Sequence, residues 1–237
     1  MKETKLIVIG DLHGRSCWQH IAFDRYDVII FLGDYVDSAQ YSDRQILKNF
    51  ETVVAFKKSL PHKVILLLGN HDIQYLHFPK YPCSGFNPGL QETLTRIFTE
   101  NKNLFQVAYQ IKSHLFSHAG LSQPWYEKFI SLVPDPVQKK PGGHDTLSHT
   151  LNAVERSDHR DVLHQVGVRR GGSEGFGGLT WADKEELWNY PLEGYHQVVG
   201  HTPVPFIEAI SYNENTSVTF VDVLGSQEAY LELSVVR

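Results

Sequence analysis

LIVIGDLHG, residues Leu6–Gly14, is four apolar residues followed by Gly, Asp, one spacer and His. An apolar, largely β-branched run without alternation reads as a strand covered on both faces, as in a parallel sheet, and the glycine ends it. The pattern returns twice, as VIIFLGDYVD (Val28–Asp37) and VILLLGNHD (Val64–Asp72). Strands are expected at Leu6–Ile9, Val28–Leu32 and Val64–Leu68. Between them, Arg15–Ala22 reads as a short helix. A longer helix runs from a cap at Ser42 or Asp43 to about Leu60, with Ile46, Leu47, Phe50, Val53, Val54 and Phe56 inward and Pro61 as the stop. This is a β-loop-α repeat with chemistry after each strand, and open α/β sheets bind ligands at those carboxyl ends.

Further along, Lys80–Gly89 reads as a loop and Gln91–Glu100 as a helix. Phe105–Tyr109 and His114–Ser117 read as strands. Val133–Gly143 is a Pro-rich exposed connection, Thr146–Val166 has helical character, and Arg169–Gly178 (RRGGSEGFGG) is a Gly-rich loop. Strands return at Gln197–Val199, Phe206–Ile210, Val218–Val223 and Ala229–Val235. No repeat or domain boundary stands out. The 237 residues are expected to form one domain, 1–237, with a lid or insertion over the active face at about 133–178.

With 41% hydrophobic and 21% charged residues the composition is that of an ordinary globular chain. Twenty-two basic against 27 acidic residues give a net charge of −5 with no basic block, which argues against a dedicated nucleic-acid patch or a membrane-binding surface. Cys17 and Cys83 are too few and too isolated for a disulfide framework, so a reduced, cytoplasmic setting is expected. Neither lies in a C-x-x-C pair, so thiolate metal ligation is not expected. The N-terminal apolar run is too short for a signal peptide or a membrane span.

Six motifs now stand in order: GDLHG (Gly10–Gly14), GDYVD (Gly33–Asp37), GNHD (Gly69–Asp72), SHAGL (Ser117–Leu121), VGHTP (Val199–Pro203) and VDVLG (Val221–Gly225). Asp11 and His13 are two apart in a turn and can face one side. Asp34 follows the next strand, where one carboxylate can bridge two cations. Asn70 offers a neutral amide oxygen, and His118 and His201 offer imidazole nitrogen. Mixed N/O ligation suits two divalent ions, Mn²⁺ first, then Fe²⁺ or Zn²⁺, better than Mg²⁺ or Ca²⁺. Such a pair activates hydroxide and polarises phosphoryl oxygens. His71 is adjacent to Asn70 on what reads as a loop, which leaves it to act as general acid toward a leaving group, with Asp37 setting its tautomer. His144, His149, His159 and His164 read as surface or lid residues.

The ordered set resembles the calcineurin-like metallophosphoesterase superfamily, in particular its phosphoprotein phosphatase branch of bacterial and phage type. The resemblance spans Leu6 to Gly225. It implies an α/β fold with a central β-sandwich flanked by helices, in four layers α/β/β/α. It also implies a dinuclear centre, with Asp11, His13, Asp34 and His201 on one side and Asp34, Asn70 and His118 on the other. Asp37 and His71 match the acid dyad. The implied reaction is hydrolysis of phosphate monoesters by a metal-bridging hydroxide, on a small molecule, a nucleotide or a phosphoprotein.

Two positions depart from that branch. Its GDYVDRG carries a phosphate-gripping Arg, where this chain has Ser38-Ala39. Its W-x-R carries a second, where this chain has Trp181-Ala182-Asp183. Losing guanidinium forks weakens charge-assisted phosphate recognition. Arg15 and Arg170 are the candidate replacements. The missing arginines also keep open a symmetrical dinucleoside polyphosphate hydrolase or a phosphodiesterase. A non-catalytic scaffold is disfavoured, because the ligand set and His71 are all present.

Overall fold

A computed structural model describes residues 3–133 and 146–236. The chain divides into two compact units. The first comprises residues 1–106, 203–207 and 221–237, and the second 107–202 and 208–220. Each unit carries one five-stranded sheet with helices, so the α/β class with two sheets flanked by helices is as expected.

In the first unit the strands are β1 (Glu3–Ile9), β2 (Val28–Phe31), β3 (Val64–Leu67), β4 (Phe105–Gln106) and β10 (Leu231–Val236), in the order β10-β1-β2-β3-β4. β1 to β4 run parallel and β10 lies antiparallel on the edge. Every residue of β2 is buried, which is why its sequence shows no alternation. Helix α1 (Asp43–Ser59) starts where the capping pattern placed it, with the Gln45 side chain accepting the Ser42 N–H at 3.0 Å. It buries Ile46, Phe50, Val53 and Val54, while Leu47 and Phe56 are only half-buried. Phe50 packs on Tyr35, Phe98 and Phe105 at centroid distances of 5.6, 4.5 and 6.1 Å. The Tyr35 hydroxyl donates to the Leu67 carbonyl at 2.7 Å, tying the loop after β2 to β3. Helix α3 (Gln91–Glu100) spans the expected residues.

Two local expectations are corrected. Arg15–Ala22 is no α-helix: it holds one 3₁₀ turn at Cys17–His20, followed by another at Phe23–Arg25. Burial of Trp18, whose Nε1 donates to Asn49 at 3.0 Å, and the extended Ile21 break the helical course. GNHD is no loop either: Asn70 opens α2 (Asn70–Leu76). At helix position three the Asp72 carboxylate accepts the Gly69 N–H at 2.9 Å, a capping contact that favours helix where alternation and turn residues gave no warning.

In the second unit the strands are β5 (Ala108–Ile111), β6 (His114–Ser117), β7 (His196–Val199), β8 (Glu208–Asn213) and β9 (Thr216–Phe220), in the order β5-β6-β7-β9-β8. β8 and β9 form a hairpin, displaced from the expected strand bounds by the turn at Asn213, whose Oδ1 accepts the Asn215 N–H at 2.8 Å. Helices α4 (Gln123–Leu132), α5 (Leu147–Glu155) and α6 (Lys184–Asn189) belong to this unit, and α4 and α6 were not anticipated. The expected exposed connection Val133–Gly143 lies, from 134 on, outside the described residues, as does His144. His164 is not at the surface. It is buried, its Nε2 pairing with Glu155 Oε2 at 2.8 Å and its Nδ1 with Thr180 Oγ1 at 3.1 Å.

Candidate active site

The first unit gathers its chemistry in the loops that follow β1, β2 and β3. Asp11 is buried directly after β1. His13 and Asp34 take left-handed backbone conformations, φ 44° and 51°, and Asp37 does the same at 57°. Such conformations cost energy in non-glycine residues and gather where function demands a particular side-chain aim. Glycine makes the close approach possible. Gly33 has φ 106°, and a Cβ there would lie 2.4 Å from the Gly69 nitrogen, while one on Gly69 would lie 2.1 Å from Asp34 Oδ1. The sixth motif has a comparable packing role, since a Cβ on Gly10 would meet the Val221 carbonyl at 2.4 Å.

His13 Nδ1 faces two carbonyl oxygens, Val36 at 3.0 Å and Asp37 at 2.8 Å. Carbonyls only accept, so Nδ1 carries the proton and the Nε2 lone pair points outward, toward Asp34 Oδ2 at 3.7 Å. Asp34 Oδ1 accepts the backbone N–H of His71 at 3.0 Å. Asn70 is buried and donates its Nδ2 to Cys83 Sγ at 2.9 Å, which assigns the amide nitrogen to the thiol side. Ligand atoms of His13, Asp34 and His71 lie within 4.8 Å of one another.

Asp37 stands behind His71, with His71 Nδ1 2.9 Å from its Oδ2. Gln74 Nε2 donates to the same oxygen at 2.6 Å and the Tyr75 hydroxyl to Oδ1 at 2.5 Å. Burial pulls the His71 imidazole toward neutrality. The charge of Asp34 and the hydrogen bond to Asp37, with Cys83 adding to them, outweigh it and raise the pKa to about 12. Burial first, then the bond to Asp37, pushes the Tyr75 hydroxyl up, which keeps it a donor.

Sequence reasoning missed Asp72, Gln74 and Tyr75. Asp72 is fully buried and accepts the N–H groups of Asp34 at 2.7 Å, Tyr35 at 3.0 Å and Gly69 at 2.9 Å. It fixes the loop that carries Asp34. Once α2 is recognised as a helix from Asn70, Gln74 and Tyr75 sit three and four positions after His71, on its face, and the omission is legible.

The second unit contributes a different group. His118 follows β6 and is fully buried, and His201 follows β7 with φ 64°. His118 Nε2 and His201 Nδ1 are 3.1 Å apart. Two nitrogens on one cation, each about 2.1 Å from it at roughly 90–110°, would lie about 3.0–3.4 Å from one another, so the pair fits a shared ion. Both loops are pinned. Gln197 on β7 accepts the Leu121 N–H at 2.8 Å and donates to its carbonyl at 2.9 Å, and Gly200 N–H reaches the His118 carbonyl at 2.8 Å.

Of the two candidate arginines, Arg15 in the first unit donates from Nη1 to the Leu12 carbonyl at 3.2 Å. It precedes a 3₁₀ turn in place of the expected helix. In the second unit Arg170 Nε lies 2.8 Å from Asp183 Oδ2, and its Nη2 donates to Thr202 Oγ1. Thr202 adjoins His201, and Trp181 packs edge-on against the His201 ring at 5.6 Å. Arg169 turns outward to the exposed Glu185.

The first unit thus holds a group of His and Asp ligand atoms of the kind a divalent metal takes. The sequence matches the calcineurin-like phosphoesterase family model over residues 4–217, and the chain belongs to that family. It is 24% identical over 181 residues to serine/threonine-protein phosphatase 7 of Arabidopsis thaliana, covering 64% of this chain and 41% of that protein. It is also 24% identical over 198 residues to a probable serine/threonine-protein phosphatase of Encephalitozoon cuniculi, covering 77% of this chain and 34% of that one. The chain thus spans less than half the length of either relative. A solved structure of a cold-active protein tyrosine phosphatase shares the fold with a TM-score of 0.56 at 17% identity, covering 97% of this chain and 73% of that one. No helix among the described residues is long and apolar enough to cross a membrane.

Proposed function

We propose that the chain is a metal-dependent phosphatase that hydrolyses phosphate monoesters. The observation that carries this reading is the approach of His13, Asp34 and His71 ligand atoms within 4.8 Å, with Asp37 bonded behind His71. The ligand set is Asp11, His13, Asp34, Asn70, His118 and His201, and it suits two divalent cations of the Mn²⁺, Fe²⁺ or Zn²⁺ type. Bound there, such ions supply Lewis acidity toward phosphoryl oxygens and a nucleophile at neutral pH.

The chain's own groups do the rest. Asp72 holds the Asp34 loop by accepting three backbone N–H groups, which would place the Asp34 carboxylate for a metal ion. His13 presents Nε2 because two carbonyls hold its other proton. His71 gives its proton to the leaving oxygen, and Asp37 keeps the ring aimed and stabilises the charged form. Gln74 and Tyr75 hold Asp37 in turn, so the acid is supported through two layers of hydrogen bonds.

A panel of phosphomonoesters, phosphopeptides, dinucleoside polyphosphates and phosphodiesters with Mn²⁺ tests the reading. Turnover of monoesters well above diesters and polyphosphates is expected. A preference for dinucleoside polyphosphates or diesters would replace it.

A further inference from the structure

Glu155, His164 and Thr180 form a polar row in the interior of the second unit that the proposed reaction does not use. All three are buried, and Thr180 fully so. Glu155 ends α5, His164 ends a 3₁₀ turn at Arg160–His164, and Thr180 stands in the segment before α6. His164 Nε2 lies 2.8 Å from Glu155 Oε2, and its Nδ1 lies 3.1 Å from Thr180 Oγ1. A hydroxyl can donate or accept, so the Thr180 contact holds whether Nδ1 carries a proton or not. The two backbones also meet. Thr180 N–H reaches the Leu163 carbonyl at 3.4 Å, and Gly178 N–H the Gln165 carbonyl at 2.8 Å. A Cβ on Gly178 would lie 2.5 Å from the Leu163 oxygen, so glycine permits this approach.

The residues on either side of Thr180 both reach the histidine loops. The Leu179 carbonyl accepts the N–H of Ala119, next to His118, at 3.0 Å. The Trp181 ring packs edge-on against the His201 ring at 5.6 Å. Thr180 lies between these two contacts, and its hydroxyl is the atom tied to His164. Burying a carboxylate and an imidazole costs desolvation that well-packed apolar side chains of similar volume would avoid. What the polar row supplies instead is direction. Its hydrogen bonds fix where the hydroxyl stands, and with it Leu179 and Trp181.

We infer that Thr180 is a positioning residue, held by the Glu155–His164 pair, that sets the spacing of His118 and His201 for one metal ion. The inference rests on the two histidines being metal ligands, as the phosphatase reading takes them, but metal binding can be measured without turnover. Ligands held at the right spacing lose less freedom when the ion arrives, and loosened ones bind it more weakly.

The test follows Co²⁺ binding by calorimetry and by visible absorption, which reports the ligands and geometry around the ion. His118→Ala and His201→Ala identify the ion that the pair holds. Thr180→Val removes the hydroxyl and keeps the volume, and Thr180→Ser keeps the hydroxyl. Thr180→Val should weaken that ion roughly 3- to 10-fold and alter its absorption band, while Thr180→Ser stays near wild type. Glu155→Gln loosens the row from its other end and should act in the same direction. In the His118→Ala background, Thr180→Val should have no further effect on Co²⁺ affinity. Unchanged affinity and absorption in Thr180→Val, or in Glu155→Gln should Thr180→Val not fold, would overturn the inference. So would a Thr180→Ser protein as weak as Thr180→Val. A wild type that binds Co²⁺ in a Thr180-dependent way but turns over no phosphomonoester would sink the phosphatase reading and leave the positioning role standing. Co²⁺ binding indifferent to both His118→Ala and His201→Ala would sink the ligand assignment and the inference with it.

Discussion

The two units build their contributions by different means. In the first, carboxylates dominate and sit at the ends of parallel strands, with a buried Asp72 gathering three backbone N–H groups to fix the Asp34 loop. In the second, the candidate groups are two imidazoles, on loops pinned by Gln197 and by the Gly200 N–H. The first is prearranged by local backbone geometry, with three left-handed non-glycine residues among its site positions. The second depends on side chains far apart in sequence. Ligand placement is therefore expected to be more sensitive in the first unit than in the second.

Four substitutions or titrations press on that contrast, from the largest effect down. His71→Asn should lower kcat by on the order of 10²-fold or more for an alkyl phosphate, and distinctly less for a nitrophenyl ester whose leaving group needs no proton. Equal losses on both substrates would remove the acid role. Asp72→Ala should cost about 3 kcal/mol or more of unfolding free energy in urea, because three buried N–H donors lose their acceptor. A change under about 1 kcal/mol would show that the loop holds itself.

A third test is the titration of His71 in metal-free protein by NMR. Its raised pKa means that the charged ring stabilises the fold fully below about pH 6.5 and that this support is lost as the pH rises toward about 12. The ring should therefore stay protonated through pH 9, and adding Mn²⁺ should move its titration to lower pH. A neutral ring at pH 8 in the absence of metal would contradict the electrostatics described for Asp34 and Asp37. The smallest effect is expected at Arg169. Its ion pair with Glu185 is exposed, so Arg169→Ala should change KM less than about 2-fold and stability within about 0.5 kcal/mol.

Much of this was legible in the sequence. The β-branched runs before Gly10, Gly33 and Gly69 place three strands to within a residue at their carboxyl ends, because a strand covered on both faces cannot hide its composition, while β1 starts three residues earlier than expected, at Glu3. The proposed ligand residues were chosen because each follows such a run or a strand-like segment. The helix at Asn70 was not legible, since GNHD contains only turn-type residues and the decisive contact is Asp72 reaching back to Gly69. The Arg170–Asp183 pair was hidden for a different reason. Thirteen positions separate the two residues, and only the folded loop brings the guanidinium to the carboxylate. Burial of His164 was likewise invisible, because its partners Glu155 and Thr180 are polar and lie on other segments.

The most direct test of the central claim is metal-dependent turnover in the wild type and in Asp34→Ala. Chelator-stripped wild type should be inactive toward a phosphomonoester, regain activity on Mn²⁺ addition, and retain about two equivalents of metal after desalting. Asp34→Ala should lose activity by on the order of 10³-fold and retain less metal while staying folded. Full activity in the stripped protein, or in Asp34→Ala, would contradict the account.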